Sequence, residues 1–323
     1  MDKERTAIAR LIEASNTSER FYKAPLVITT SGGKDSSVVV ELALRAGIDF
    51  ELMHNHTTAD APETVQFIRS EFKRLEDIGF PSEQIIVNYP VYKGRRCSMW
   101  SLIPQKLRPP TRLVRYCCSI LKERGGQGRY ITTGVRWAES RKRRETRGIF
   151  ETLHRDREKK VILNNDNDDR RQLFETCILQ HKAVCNPIID WTDDDVWQFI
   201  QDAKIPVNPL YKCGFSRVGC IGCPMAGTKR RYKEFAQYPA YKKLYIRAFE
   251  RMLKERKRKG KMQGTWNIGT NGEDVFHRWM EDGVLLGQMS MEGFEEKAWL
   301  GEYMEQHQDV VSFEPDQKGA NDV

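Results

Sequence analysis

The stretch "LVITTSGGKDSSVVVELALRAG", residues 26–47, constrains this chain more than any other part of it. The apolar run 26–30 reads as a buried strand, and it stops at the hexapeptide Ser31, Gly32, Gly33, Lys34, Asp35, Ser36. From Ser36 to Ala46 apolar residues return at helical spacing, and Gly47 ends them. The first N–H groups of a helix that starts this way have no intrahelical partner, and with the helix dipole they form an anion site. Gly32 and Gly33 can take positive φ and let the backbone approach a ligand closely. Lys34 adds a point charge, and Ser31, Ser36 and Ser37 offer hydroxyls. The stretch is expected to hold phosphate, although its spacing is not that of the G-x-x-x-x-G-K-[ST] loop.

The pattern continues downstream. "FELMHNHTT" (50–58) reads as a second strand, 63–77 as a second helix and "IIVNYPV" (85–91) as a third strand, with a further strand near "RYITTGVRW". Strands alternating with helices imply a parallel sheet with helices on its faces. Residues 151–176 are polar, with "NNDNDD" as a turn, and read as a hairpin or surface insertion. In "DWTDDDVWQFIQDAKIP" Thr192 is expected to cap a helix, with Asp195 three residues on and Pro206 beyond its end. After Gly227 the composition turns basic and aromatic, which sets a boundary between a domain at 1–227 and a mainly helical region at 228–323.

A chain of 323 residues is long enough for a sizeable core, and its net charge of +8 favours polyanionic partners. The opening "MDKERTAIARLIEASN" reads as an amphipathic helix and not as a signal peptide, and no apolar run is long enough to span a membrane. A cytoplasmic protein is expected, with no membrane partner. In a reducing compartment its eight cysteines point to metal binding or catalysis rather than disulfides.

Four of those cysteines form two pairs: Cys117 and Cys118 side by side, and Cys220 and Cys223 in a C-x-x-C. Adjacent side chains diverge, so a tandem pair suits a cluster with several irons better than one tetrahedral zinc. An iron–sulfur cluster, a structural zinc and a metal-free buried set all stay open at this point. Cys97, Cys177, Cys185 and Cys213 are left over; each alone reads as a small buried hydrophobe, with Cys213 the best candidate for a reactive thiol and Cys97 lying beside Arg95 and Arg96.

The hexapeptide resembles the PP-loop of the ATP pyrophosphatase superfamily, and the Cys-Cys…C-x-x-C arrangement resembles the iron–sulfur signature of adenylylsulfate reductases within the phosphoadenylylsulfate (PAPS) reductase family. The resemblance covers roughly residues 24–224. "TGVRWAES" (133–140) looks like the family's T-G-x-R-x-x-E-S element; "NPIIDWTDDDVWQFI", "IPVNPLYKCGFSRVGC" and "DAPET" look like further family segments. The family's Asp-Thr-Gly ahead of the last of these is replaced by "NHTTAD". What the resemblance implies is an adenine nucleotide alpha hydrolase-like fold, a parallel twisted sheet flanked by helices. It also implies an ATP site at Ser31, Gly32, Gly33, Lys34, Asp35, Ser36, Gly134 and Arg136, with Mg2+ a candidate companion. Lys34, Asp35, Arg136 and Glu139 would be catalytic, Arg136 meeting phosphate or sulfate oxygens and Glu139 orienting it or binding elsewhere in the site. Cys117, Cys118, Cys220 and Cys223 would hold a 4Fe–4S cluster.

The reductases carry a catalytic cysteine in a C-terminal E-C-G-L-H-type tail, whereas this sequence has no cysteine after Cys223. The same loop and cluster occur in the DndC- and SspD-type ATP pyrophosphatases of DNA phosphorothioation. In that reading ATP is cleaved between its α- and β-phosphates to adenylate a phosphate or base for sulfur transfer. The expected partners are nucleic acid, DNA ahead of tRNA, and a cysteine desulfurase or other sulfur carrier; a homo-oligomer is admitted by the sequence but encoded by no motif. Two alternatives stand beside it: PAPS or adenylylsulfate reduction with an external thiol, and a nucleic-acid-binding protein with a degenerate nucleotide site and structural zinc. The nucleic-acid expectation rests on residues 229–261, where fourteen Lys or Arg face three Glu, with Tyr232, Tyr238, Tyr241, Tyr245 and Phe249 interleaved. Tyr241, Leu244, Tyr245, Ala248 and Met252 fall on one helical face, read as core, and the run "RWAESRKRRETR" reads as too basic to be neutralised locally.

Overall fold

The computed structural model describes residues 2–123, 125–153, 162–163, 182–261, 266 and 271–281. They divide into two compact units, Met1–Leu102 with Arg112–Cys223, and Ile103–Thr111 with Pro224–Val323. The strands are β1 (Leu26–Thr30), β2 (Phe50–Asn55), β3 (Ile85–Asn88), β4 (Val91–Tyr92), β5 (Arg95–Arg96), β6 (Tyr130–Thr132), β7 (Phe150–Leu153), β8 (Ile162–Leu163) and β9 (Lys182–Cys185). The helices are α1 (Lys3–Tyr22), α2 (Lys34–Ala46), α3 (Pro62–Asp77), α4 (Met99–Lys106), α5 (Arg141–Thr146), α6 (Asp193–Asp202), α7 (Thr228–Gln237), α8 (Pro239–Arg258) and α9 (Gly272–Met280).

The first unit is built on a seven-stranded sheet in the order β3-β2-β1-β6-β9-β7-β8. β1 runs parallel to β2 and β6, β2 to β3, and β6 to β9. One departure from the expected parallel sheet lies at an edge, where β7 is antiparallel to both β8 and β9. That pairing is the hairpin expected near 151–176, seen only in its first part; residues 164–176 lie outside the described residues. The third strand ends at Asn88, short of the expected 91, and Val91 pairs instead in the small β4–β5 ladder.

Strand alternation divides the core. Leu26, Ile28, Phe50, Leu52 and Tyr130 join Ala7, Leu11 and Ala14 of α1, Val38, Val39 and Leu42 of α2, and Val196 and Phe199 of α6. Val27, Met53, Ile131 and Val184 form the opposite face. Asp2 caps α1 by accepting from Arg5 N (3.3 Å), and Thr192 with Asp195 forms the capping box read from the sequence for α6. β2 and β3 lie to one side of β1, β6 and β9 to the other. The strand order therefore reverses between β1 and β6, and in open α/β sheets the crevice beyond the strand ends at such a reversal takes the ligand.

The second unit packs an aromatic core from α7, α8 and α9: Phe235, Tyr245, Phe249, Phe276 and Trp279, all buried. As expected, Tyr245, Ala248 and Met252 face inward, joined by Phe249. The basic residues here are not all free for a partner. Arg231 is fully buried, with its guanidinium 4.6 Å from the Trp279 ring centroid and donating to the Trp279 carbonyl (2.6 Å). Arg256, also buried, donates to the Leu107 carbonyl (2.7 Å), and Arg258 pairs with Glu255 (2.8 Å). Arg231 and Arg256 hold the unit together, which charge counting along the sequence does not reveal.

Candidate functional site

β1 ends at Thr30 and the loop that follows enters α2. Gly32 sits at φ +71°, where an L side chain would be strained, and its carbonyl accepts from Asn208 Nδ2 (3.2 Å). The same amide donates to Thr64 Oγ1 (3.1 Å), so Asn208 ties the loop to α3. Ser36 Oγ closes the turn, accepting from Ser31 N (3.2 Å) and donating to the Gly33 carbonyl (2.8 Å). Gly33 is the N-cap of α2 and brings no side chain to it; the Lys34 N–H is met instead by the Tyr211 hydroxyl (2.9 Å). An oxygen from another segment thus already lies at the helix N-terminus, where an anion would be held.

Gly134, beyond β6, closes the other wall. A Cβ there would lie 2.8 Å from Asp35 C, 2.9 Å from Asp35 O and 3.0 Å from Ser36 N, so this position holds a hydrogen to let two backbones meet. Two residues on, Arg136 is 1% exposed. Its Nε donates to Asp35 (2.7 Å), one terminal nitrogen to Asp193 (2.8 Å) and the other to the Trp191 carbonyl (3.2 Å). Arg136, expected to meet ligand oxygens, has its guanidinium turned to the carboxylates of Asp35 and Asp193 in this structure. Lys34 Nζ reaches the same pair, Asp35 at 3.2 Å and Asp193 at 3.0 Å. Those donors, the Lys34 ammonium first, lower the pKa of Asp193. Glu139 accepts from the Arg136 backbone N–H (3.1 Å).

The basic run after Arg136 is better neutralised than its sequence indicates. Arg143 pairs with Glu139, Arg141 with Glu145 (2.8 Å) and Arg147 with buried Glu151 (2.6 Å). Burial, with the guanidinium groups of Arg217 and Arg147, pushes Arg143 down to about 10.

The four paired cysteines come together. Cys117 precedes a π-turn at Cys118–Lys122, and the 220–223 loop is pinned to the chain after β2 by an Asp60–Cys220 bridge and an Ile221 N–H to Ala59 carbonyl bond (2.8 Å). The Cys117 thiol donates toward Cys118; that contact, burial, and the charges of Cys118, Cys220 and Cys223 raise its pKa. The same contact, with Lys122 and Arg115, lowers Cys118. Cys220, buried, is pushed up to about 11 against the pull of Lys122. A tetrahedral zinc with Zn–S near 2.3 Å would hold its sulfurs about 3.8 Å apart. Among the described residues the compact set, with ligand atoms within 4.8 Å, is His54, His56 and Asp60 and not the thiols. Two thiol pairs brought to one space, one of them a tandem pair on adjacent residues, fit the separated ligand positions of a multi-iron cluster.

Of the remaining cysteines, Cys185 is in the core, Cys97 is buried and Cys213 is exposed, while Cys177 lies outside the described residues. Trp191 packs in the core and Trp197 against it, Trp197 meeting Tyr211 edge-on (5.3 Å). Sequence reasoning missed Asp193, Asn208, Tyr211, Lys122 and the His54–His56 pair. Asp193 was hidden in a helix cap, whereas the replaced "NHTTAD" segment (55–60) did contain His56 and Asp60. Among the described residues no helix is long and apolar enough to cross a membrane.

Comparison with known proteins accords with this geometry. An uncharacterized protein of Methanocaldococcus jannaschii is 30% identical over 237 residues, 71% of this chain and 47% of that one. This chain thus spans about half the length of that relative. The adenosine 5'-phosphosulfate reductase of Bacillus cereus is 24% identical over 219 residues, 66% of this chain and 79% of that one. The solved phosphoadenylyl-sulfate reductase of Candida auris, a phosphate complex, is 16% identical with a TM-score of 0.42, covering 67% of this chain and 88% of that one. The model of the phosphoadenosine phosphosulfate reductase domain matches residues 25–226, from the strand before the phosphate loop to just past Cys223, and this chain belongs to that family.

Proposed function

We propose that the protein is an ATP pyrophosphatase serving sulfur transfer to nucleic acid, with DNA phosphorothioation as the leading case. The observation that carries the reading is the N-terminus of α2: a left-handed Gly32, a side-chain-free cap at Gly33 and a Lys34 N–H that meets an oxygen from Tyr211. Pyrophosphate oxygens of ATP would take the place of that hydroxyl, with Lys34 neutralising charge and Ser31 donating. Arg136 and Asp193 hold Asp35 and Lys34 in register, and Gly134 leaves room for the loop. An acceptor oxygen attacks the α-phosphorus, the bond to the β-phosphate breaks, and pyrophosphate leaves with an adenylated acceptor. A carrier persulfide then displaces AMP, and cleavage of its S–S bond by a thiol leaves sulfur on the acceptor. Cys117, Cys118, Cys220 and Cys223 would hold a 4Fe–4S cluster, which when bound supplies redox capacity near the nucleotide. Support for a nucleic-acid acceptor is the exposed remainder of the basic segment, Lys257 and Lys259 among it.

The test is pyrophosphate release from ATP by anaerobically purified protein, with and without duplex DNA or tRNA. Release stimulated by DNA and lost in Lys34→Ala is expected. A second reading, reduction of adenylylsulfate or PAPS with an external thiol, is favoured by the name of the Bacillus cereus relative. Sulfite formation from either sulfonucleotide, with no pyrophosphate from ATP, would give that reading first place.

A further inference from the structure

We propose that His54, His56 and Asp60 form a binding site for a divalent transition metal beside the phosphate loop, with ligands other than the four thiols although Cys220 Sγ donates to Asp60 Oδ1 (3.8 Å) at its border. One ligand atom from each residue lies within 4.8 Å of the others. An ion bound at about 2.0–2.2 Å by imidazole and carboxylate needs its ligand atoms roughly 3–3.5 Å apart, so small side-chain rotations complete the set.

The local sequence dictates the arrangement. His54 lies in β2 and His56 just beyond it, two residues apart, so extended backbone places both on one side. Thr58, at φ 63°, turns the chain back and brings Asp60 under them. Asp60 is fixed there: its carboxylate accepts from Thr57 N (3.2 Å), and its backbone pairs with Cys220. His54 Nδ1 lies 3.0 Å from the Thr30 carbonyl. A carbonyl only accepts, so Nδ1 carries the proton and Nε2 presents its lone pair, the outer-shell bond that orients metal-binding histidines. His54 and Asp60 are 5% and 7% exposed, and His56 is half-buried, its ring edge-on to Tyr89 (5.5 Å). The site is shielded but reachable.

Two imidazoles and a carboxylate select a borderline ion such as Zn2+, Fe2+ or Co2+ over Ca2+ or Mg2+, which take oxygen ligands. Three protein ligands leave coordination positions open for water or a substrate oxygen. His54 pairs in register with Thr30, the residue before Ser31, so those positions lie next to the phosphate loop. The ammonium of Lys122 also faces Asp60 and His54 and opposes a second cation. The metal site stands whether or not ATP is the nucleotide.

The test titrates Co2+ alone into the full chain, reduced and free of other metals, and reads the visible and near-ultraviolet spectrum. Nitrogen- and oxygen-bound Co2+ gives weak d–d bands only, whereas thiolate-bound Co2+ adds strong charge transfer from sulfur. One Co2+ per chain without charge transfer is expected. Its affinity should fall on the order of a hundredfold in His56→Ala and in Asp60→Asn, with far-ultraviolet circular dichroism unchanged. Any thiolate-bound Co2+ should survive both variants, and Lys122→Met should tighten the new site. If Asp60→Asn fails to fold, the half-buried His56 carries the test. A spectrum and stoichiometry identical in parent and His56→Ala would overturn the proposal. So would bound Co2+ that always shows charge transfer and is lost on Cys220→Ser.

Discussion

Substituting Gly134 by alanine adds one methyl group where two backbones cross. The new Cβ would lie 2.8–3.0 Å from Asp35 C, Asp35 O and Ser36 N, whereas carbon contacts are comfortable at about 3.5–4.0 Å. None of these atoms can swing aside, since all belong to the main chain of the first turn of α2. That turn must move by roughly 0.5–1 Å relative to β6. Overpacking of this kind costs about 1–3 kcal/mol, against a total stability of about 5–15 kcal/mol, so the variant stays folded. At about 2–4 °C per kcal/mol its midpoint falls by several degrees. The same shift carries the loop donors out of a hydrogen-bond window only about 0.5 Å wide. Losing one charge-assisted contact of about 1.5–3 kcal/mol lowers ATP affinity by about ten- to a hundredfold. Gly219→Ala, where an added Cβ meets nothing within 4 Å, serves as the control. Titration calorimetry with ATP and thermal unfolding read both effects. Parent-like melting and parent-like affinity in Gly134→Ala would refute the reasoning. A lower midpoint with unchanged affinity would move the anion site away from the loop.

Tyr211→Phe removes the oxygen that meets Lys34 N, so the nucleotide-free protein should lose about 1 kcal/mol; saturating ATP, by supplying its own oxygen, should erase the difference in midpoint. Arg136→Met leaves Asp35 and Asp193 bridged by Lys34 alone, and denaturant unfolding should register a loss of about 1–3 kcal/mol. In metal-free protein the Cys118 pKa is lowered and that of Cys220 raised to about 11. The thiolate is the reactive form, so alkylation of Cys118 should rise at a pH below the ordinary thiol range and precede that of Cys220 when followed by peptide mass mapping. Lys257→Ala with Lys259→Ala should flatten the salt dependence of DNA binding by about 0.9 log units per lost phosphate contact at unchanged stability; Arg256→Ala, which strips a donor from the Leu107 carbonyl, should lower stability.

The strand–loop–helix unit at Leu26–Ala46 was legible because strand pattern, glycines and helix periodicity agree over one short stretch. So was the α6 cap, a local rule within four residues. The antiparallel pairing of β7 with β9 was not, since it joins partners some thirty residues apart along the chain. Arg136 shows the same limit: its pairing with Asp193, more than fifty residues on and also paired with Lys34, is set by the fold. Charge counting failed at Arg231 and Arg256 because burial against Trp279 and Leu107 is a tertiary fact. The four cysteines were legible as pairs, and only the fold could bring the pairs together.

Residues 208–223 touch both halves of the site: Asn208 and Tyr211 reach the phosphate loop, and Cys220 and Cys223 belong to the thiol set. One strap anchored at two places makes the two occupancies thermodynamically reciprocal. A nucleotide that displaces the Tyr211 hydroxyl frees one anchor and alters what the other end must overcome to bind. Whatever factor the nucleotide imposes on the affinity of the thiols for metal, the metal must impose on the affinity for nucleotide. Measuring either one fixes the other, and a factor of one would mean that the strap bends freely between Tyr211 and Cys220.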